Sequence, residues 1–112
     1  MLTNCDRDII GHTRRRLAVP VDAVVTAEDV GAYKPAHAHF TAFTESFAPS
    51  KGQWIHVAQS HEIDVQPASQ LGLRCVWINR THEGDDPSLA AAILDGLSDL
   101  PKTLEHLQSG NA

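Results

Sequence analysis

Short apolar runs alternate with stretches of helical periodicity along this chain, a pattern that predicts parallel strands joined by crossover helices and therefore an α/β fold. Met1-Leu2-Thr3-Asn4 reads as a first strand ending in polar residues, followed by a helix with Ile10, Thr13 and Leu17 on one face. Ala23-Val24-Val25-Thr26 is the second strand, and a loop from Ala27 to Tyr33 follows, in which Gly31 permits a tight bend. Lys34-Pro35 is expected to open a helix, because proline suits the first helical position. Phe40, Phe43 and Phe47 then form one apolar stripe toward the sheet.

After a turn at Pro49-Ser50-Lys51-Gly52, Trp54 to Ala58 gives a third strand. A helix starting near Val65 carries Ala68 and Leu71 and ends at Gly72. Arg74 to Ile78 is a fourth strand, apolar enough to be covered on both faces. A polar loop (Thr81 to Asp86), an edge strand within Leu89 to Leu94 and a closing helix from Asp99 to Gln108 complete the order.

Composition narrows the partners. The 112 residues suffice for one domain over 1–112, and 42% hydrophobic with 21% charged residues is ordinary for a globular protein. A net charge of -5 offers no electrostatic footprint for nucleic acid, and Arg14-Arg15-Arg16 reads as a solvated helix face. Nothing approaches the ~18 apolar residues that span a bilayer, so no membrane partner is expected and the cytoplasm is the default location. Cys5 and Cys75 are expected to be buried, reduced thiols. His37 and His39, two apart on a helix, point in different directions and do not make a zinc site; with His56 and His61 they are read as surface or loop histidines.

In an open parallel sheet, ligands bind beyond the carboxyl ends of the strands. Thr3-Asn4, Lys34, Gln59-Ser60-His61-Glu62-Ile63-Asp64 and Asn79-Arg80 all fall at such ends. Each alone is a weak signal, since Thr-Asn usually caps and Lys-Pro usually starts a helix.

Their order is informative. "LTNCDRD", "VVTAEDVGAYKPAHAHF" and "WIHVAQSHEIDVQPASQLGLRCVWINR" resemble the second, third and fourth motifs of the haloacid dehalogenase (HAD)-like hydrolases, and within them the type II haloacid dehalogenase-like branch. The resemblance spans residues 1 to 80 and leaves 88–108 as an edge strand and helix. It implies a Rossmann-like, HAD-type parallel sheet with flanking helices and a hydrolase that works through an aspartyl ester on a small anionic substrate, a 2-haloacid or a phosphate monoester.

Carried over by position, the resemblance makes Thr3 the hydroxyl that binds the substrate's anionic group, with Asn4 beside it. Lys34 is the cation beside the nucleophile, Asp64 the fourth-motif acid, and Gln59 and Ser60 line the substrate. The hydroxyl of Thr3, the ammonium of Lys34 and the carboxylate of Asp64 are thereby expected at one end of the sheet. No cofactor is implied for a dehalogenase, whereas a phosphatase would hold Mg2+ with Asp64.

Two departures bear on the chemistry. Ala58-Gln59 stands where phosphatases of the superfamily usually show Gly-Asp, which removes a carboxylate from a magnesium site. His61 stands where defined dehalogenases tend to carry asparagine. The family's first motif, which supplies the nucleophilic aspartate, has no counterpart in a suitable context; Asp6 and Asp8 follow the second-motif strand and read as a helix cap and a first-turn acid.

The expectation is an incomplete core, lacking the central nucleophile strand and the cap, with negligible turnover alone. Its first and third strands are left to pair directly, to dimerise through open edges, to associate with a missing N-terminal part or to stay loosely packed. A non-catalytic Rossmann-like module that binds anions is the alternative.

Overall fold

The structure, a computed structural model, describes residues 1–109. It comprises two compact units, Met1–Ala48 and Pro49–Ala112. The class is α/β, with parallel strands and flanking helices in a Rossmann-type arrangement.

In the first unit, β1 (Leu2–Thr3) pairs in parallel with β2 (Val25–Thr26), with Leu2 opposite Val25 and Thr3 opposite Thr26. Between them runs α1 (Arg7–Arg16), started by the Asp6 carboxylate, which accepts from the Ile9 N–H at 2.8 Å. Asp8 lies in the first turn and Arg14, Arg15 and Arg16 in the last, the charge order that a helix dipole favours. All three arginines are exposed, as a solvated face requires. Ile10 is the buried residue of this helix; Thr13 is exposed, and Leu17 is exposed too because the helix stops before it and the chain turns extended.

The segment after β2 is more ordered than a loop. Ala27–Val30 forms a short helix, α2, because Thr26 and Asp29 close a capping box: the Thr26 hydroxyl accepts from the Asp29 N–H and the Asp29 carboxylate from the Thr26 N–H, both at 3.0 Å. Gly31 ends it at φ 67°, a conformation that suits glycine. The same carboxylate receives the Arg7 guanidinium at 2.6 Å. These bonds, the Thr26 backbone N–H foremost and then Arg7, lower the Asp29 carboxyl from its ordinary 3.8 to about 2.

A depressed folded-state value means that the unfolded chain binds the proton more readily, so this contribution to stability is present above pH about 4 and disappears as pH falls toward 2. Asp29→Asn is therefore expected to flatten the acid limb of a pH–stability profile measured by urea unfolding. An unchanged limb would remove Asp29 from the acid response.

The expected helix start at Lys34-Pro35 is corrected. Residues 33–36 form a turn, closed by the Ala36 N–H on the Tyr33 carbonyl at 3.1 Å, with a cis Lys34–Pro35 bond, and α3 runs from Ala38 to Phe47. The cause is Asn4, whose side chain holds the Lys34 main chain in this turn, so a contact 30 residues away overrides a local preference. The phenylalanine stripe is also only partly core: Phe40 is buried, Phe43 is half-buried, and Phe47, in the last turn, is exposed and stacks on Phe43 at 4.9 Å.

In the second unit, β3 (Ile55–Ala58), β4 (Arg74–Ile78) and β5 (Ala92–Leu94) make a parallel sheet in that order. Its centre is β4, where Cys75, Val76, Trp77 and Ile78 are all buried, as a strand covered on both faces must be. A π-helical turn at His61–Val65 leads into α4 (Gln66–Gln70), four residues earlier than the expected helix start. Gly72, at φ 73°, closes it through the Leu73 N–H on the Ala68 carbonyl. Asp86 caps a 3-10 turn at Pro87–Leu89 just before β5, and α5 spans Leu100–Ser109. Among the described residues no helix is long and apolar enough to cross a membrane.

Candidate functional site

The polar end of β1 is built around an amide. Asn4 Oδ1 accepts the Lys34 backbone N–H at 2.7 Å, and Asn4 Nδ2 donates to the Lys34 carbonyl at 3.2 Å. An amide side chain carries an acceptor and a donor at the spacing of a peptide group, so it pairs with Lys34 as a neighbouring strand would. The Lys34 ammonium in turn donates to the Leu2 carbonyl at 2.8 Å, which places the cation at the end of β1. Thr3 Oγ1 accepts from the Cys5 N–H at 3.2 Å. A hydroxyl used as an acceptor keeps its own proton to donate.

Thr3, Asn4 and Lys34 are thus brought together in the first unit. Beneath them His39, which is completely buried, bonds the Thr3 carbonyl through Nε2 at 2.8 Å. Because a carbonyl can only accept, Nε2 carries the proton.

Gln59, Ser60 and Asp64 belong to the second unit, in the turn after β3. Trp77 Nε1 donates to the Gln59 carbonyl at 2.9 Å, while the Gln59 side chain is exposed. Ser60 starts the turn, its hydroxyl accepting from the Ile63 N–H at 3.2 Å and its carbonyl from the N–H groups of Asp64 and Val65. This wider-than-α register carries Asp64 back toward the strand, where it is buried and its Oδ1 lies 2.9 Å from His56 Nε2. His61 is buried as well: Nε2 donates to the Asp86 carbonyl at 2.9 Å, Nδ1 accepts from Gln66 Nε2 at 3.3 Å, and its ring lies 4.8 Å from that of Trp77.

The expectation of surface or loop histidines is therefore overturned for His39, His56 and His61, each buried on a specific acceptor or carboxylate; His37 is half-buried at the N-cap of α3. Cys75 is a buried thiol whose ionisation is pushed up to about 12, by burial first and then by the negative charge of Asp64. Cys5 is only half-buried, against expectation.

No protein-family model matches the chain, and no curated protein matches it. Solved structures do. A HAD phosphatase from Thermococcus onnurineus is 32% identical, with a TM-score of 0.65 over 74% of this chain and 38% of that one. A 2-haloacid dehalogenase from Pseudomonas syringae pv. tomato DC3000 is 29% identical, with a TM-score of 0.73 over 92% of this chain and 43% of that one. The fold is that of the HAD-like hydrolases. YfnB of Bacillus subtilis, described as a HAD-hydrolase bound to magnesium, shares it at 21% identity and a TM-score of 0.67, over 74% of this chain and 37% of that one. The chain spans between 37% and 43% of the length of these three structures.

Magnesium is tested by the donors present. The turn after β3 offers Asp64, already bonded to His56, and Glu62, which is exposed, while Gln59 presents an amide. Among the described residues no group of three or more His, Cys, Asp or Glu side chains could hold a metal ion. A hard cation needs several oxygen ligands, and Asp64 and Glu62 are the carboxylates that this turn supplies.

The supporting histidines were the part of the site that sequence reasoning missed. For His56 there was a signal: an imidazole within the apolar run Ile55–Ala58, with an acid eight residues on, is an ionisable group that burial obliges to find a partner.

Proposed function

We propose that this chain is the part of a HAD-like hydrolase that carries the second, third and fourth motifs, and that the enzyme acts on a small anionic substrate, a 2-haloacid, through an ester on an aspartate contributed by residues outside this chain. The observation that supports this most is the Asn4 clamp, with its bonds of 2.7 and 3.2 Å to Lys34 and the Lys34 ammonium on the end of β1.

In this reading a carboxylate oxygen of the aspartate attacks the carbon bearing the halogen, the carbon–halogen bond breaks and halide leaves with the bonding pair. Lys34 keeps the aspartate ionised and offsets negative charge in a water-poor site. The Thr3 hydroxyl donates a hydrogen bond to the substrate carboxylate, and Gln59 and Ser60 are further residues assigned to the substrate. Asp64 takes a proton from the water that then adds to the ester carbonyl, releasing the 2-hydroxy acid and the free aspartate. Asn4 holds Lys34 in place.

The phosphatase reading draws support from the 32% identity to the Thermococcus protein, and the amide at Gln59 weighs against it. A fusion of this chain to the portion of the Pseudomonas syringae 2-haloacid dehalogenase outside the matched region tests both. Chloride release from 2-chloropropionate is the expected result. Phosphate release from a phosphate monoester without chloride release would establish the phosphatase instead, and a folded fusion that does neither would leave a non-catalytic anion-binding module.

A further inference from the structure

A buried acid facing a buried imidazole is an expensive arrangement in free energy. The side chains of His56 and Asp64 are each 10% exposed and 2.9 Å apart, eight residues from one another in sequence. Desolvating both groups opposes folding, and a well-packed apolar pair in their place is often neutral or stabilising. The pairing therefore calls for a reason other than stability.

Its geometry supplies one. His56 sits within β3, in register with Cys75 of the central strand β4, so its ring is mounted on the sheet. Asp64 sits in the π-helical turn at His61–Val65, on a side chain with two rotatable bonds. An ionised carboxylate can only accept, so the proton of the pair lies on Nε2, and such charge-assisted bonds are the strong and directional ones. Cys75, its thiol pushed up to about 12, stays neutral and brings no second anion to the pair.

We propose that His56 is a positioning residue: its Nε2–H holds the Asp64 carboxylate in the direction set by strand β3, so the sheet, not the turn, aims the acid. The part of this inference that concerns turnover rests on the role given to Asp64 above.

Long-range proton–nitrogen correlation spectra of the labelled 112-residue chain read the tautomer directly. The expected result is a His56 Nε2–H that exchanges slowly with solvent and shifts in Asp64→Asn. A His56 protonated on Nδ1 alone would overturn the proposal whatever the activity.

In the fusion, His56→Phe is expected to lower kcat about 100-fold with KM changed less than about two-fold, because a misaimed group costs rate more than binding. His56→Gln, whose amide offers an N–H to the same oxygen, is expected to recover about tenfold of that loss. An unchanged kcat in a folded His56→Phe fusion would also overturn it. A wild-type fusion inactive on both substrates would reject the hydrolase reading instead, and the spectra would still decide whether His56 holds Asp64.

Discussion

Lys34→Ala in the dehalogenase fusion is expected to lower chloride release by about 10^4-fold, with the urea midpoint of the isolated chain nearly unchanged, because residues acting as a catalytic unit lose most of the rate together. The two expectations come from different atoms of one residue. The main chain of Lys34 is held by Asn4 through its N–H and its carbonyl, and those bonds persist in alanine. The ammonium, on the Leu2 carbonyl at 2.8 Å, is the group that the substitution removes.

Lys34→Arg retains the charge but spreads it over a planar fork, and a site shaped for a compact ammonium is expected to regain only a small part of the rate. Asn4→Ala should show the converse: the ammonium is present and its backbone support is lost, so rate and stability fall together. Near-wild-type turnover in Lys34→Ala would exclude the role proposed for this lysine.

Where burial is set by strand periodicity, the sequence was readable. The run Arg74 to Ile78 is apolar on both faces and is the central strand with the expected bounds, and Asp6 precedes Arg7–Arg16 as an N-cap should. Most of the failures share a cause, which is that the deciding partner lies outside the local element. Local rules favour a helix at Lys34-Pro35, and an amide 30 residues earlier prevents it.

Histidines scored as polar belong outside. His39 is inside because the Thr3 carbonyl lies 36 residues away in sequence, His61 because the Asp86 carbonyl lies 25 away, and His56 because Asp64 lies eight away. Capping is local chemistry, and the box between Thr26 and Asp29 makes a short helix of a segment whose Gly31 suggests only a bend. The candidate residues come from the order of three motifs, whereas the groups that bond to them required coordinates.

Trp77→Ala is expected to be the most damaging single substitution for folding of the second unit. The side chain is 1% exposed and heads the largest fully buried ones, and it lies in β4 between Ala58 of β3 and Ile93 of β5. Truncating a buried aromatic to alanine costs about 3 to 5 kcal/mol through lost transfer energy and the cavity left behind. A further contribution comes from the Gln59 carbonyl, which loses the indole N–H at 2.9 Å, and from His61, which loses the ring beside it.

Against the roughly 5 to 15 kcal/mol that stabilises a whole domain, that sum is a large share. Trp77→Phe separates the terms, since it keeps most of the apolar volume and removes the N–H; it should cost about 1 to 3 kcal/mol and loosen the turn that bears Ser60 and Asp64. Urea unfolding followed by circular dichroism distinguishes the two variants. A Trp77→Ala chain with the wild-type midpoint would mean that this indole does not anchor the core, and the support argued for the Asp64 turn would go with it.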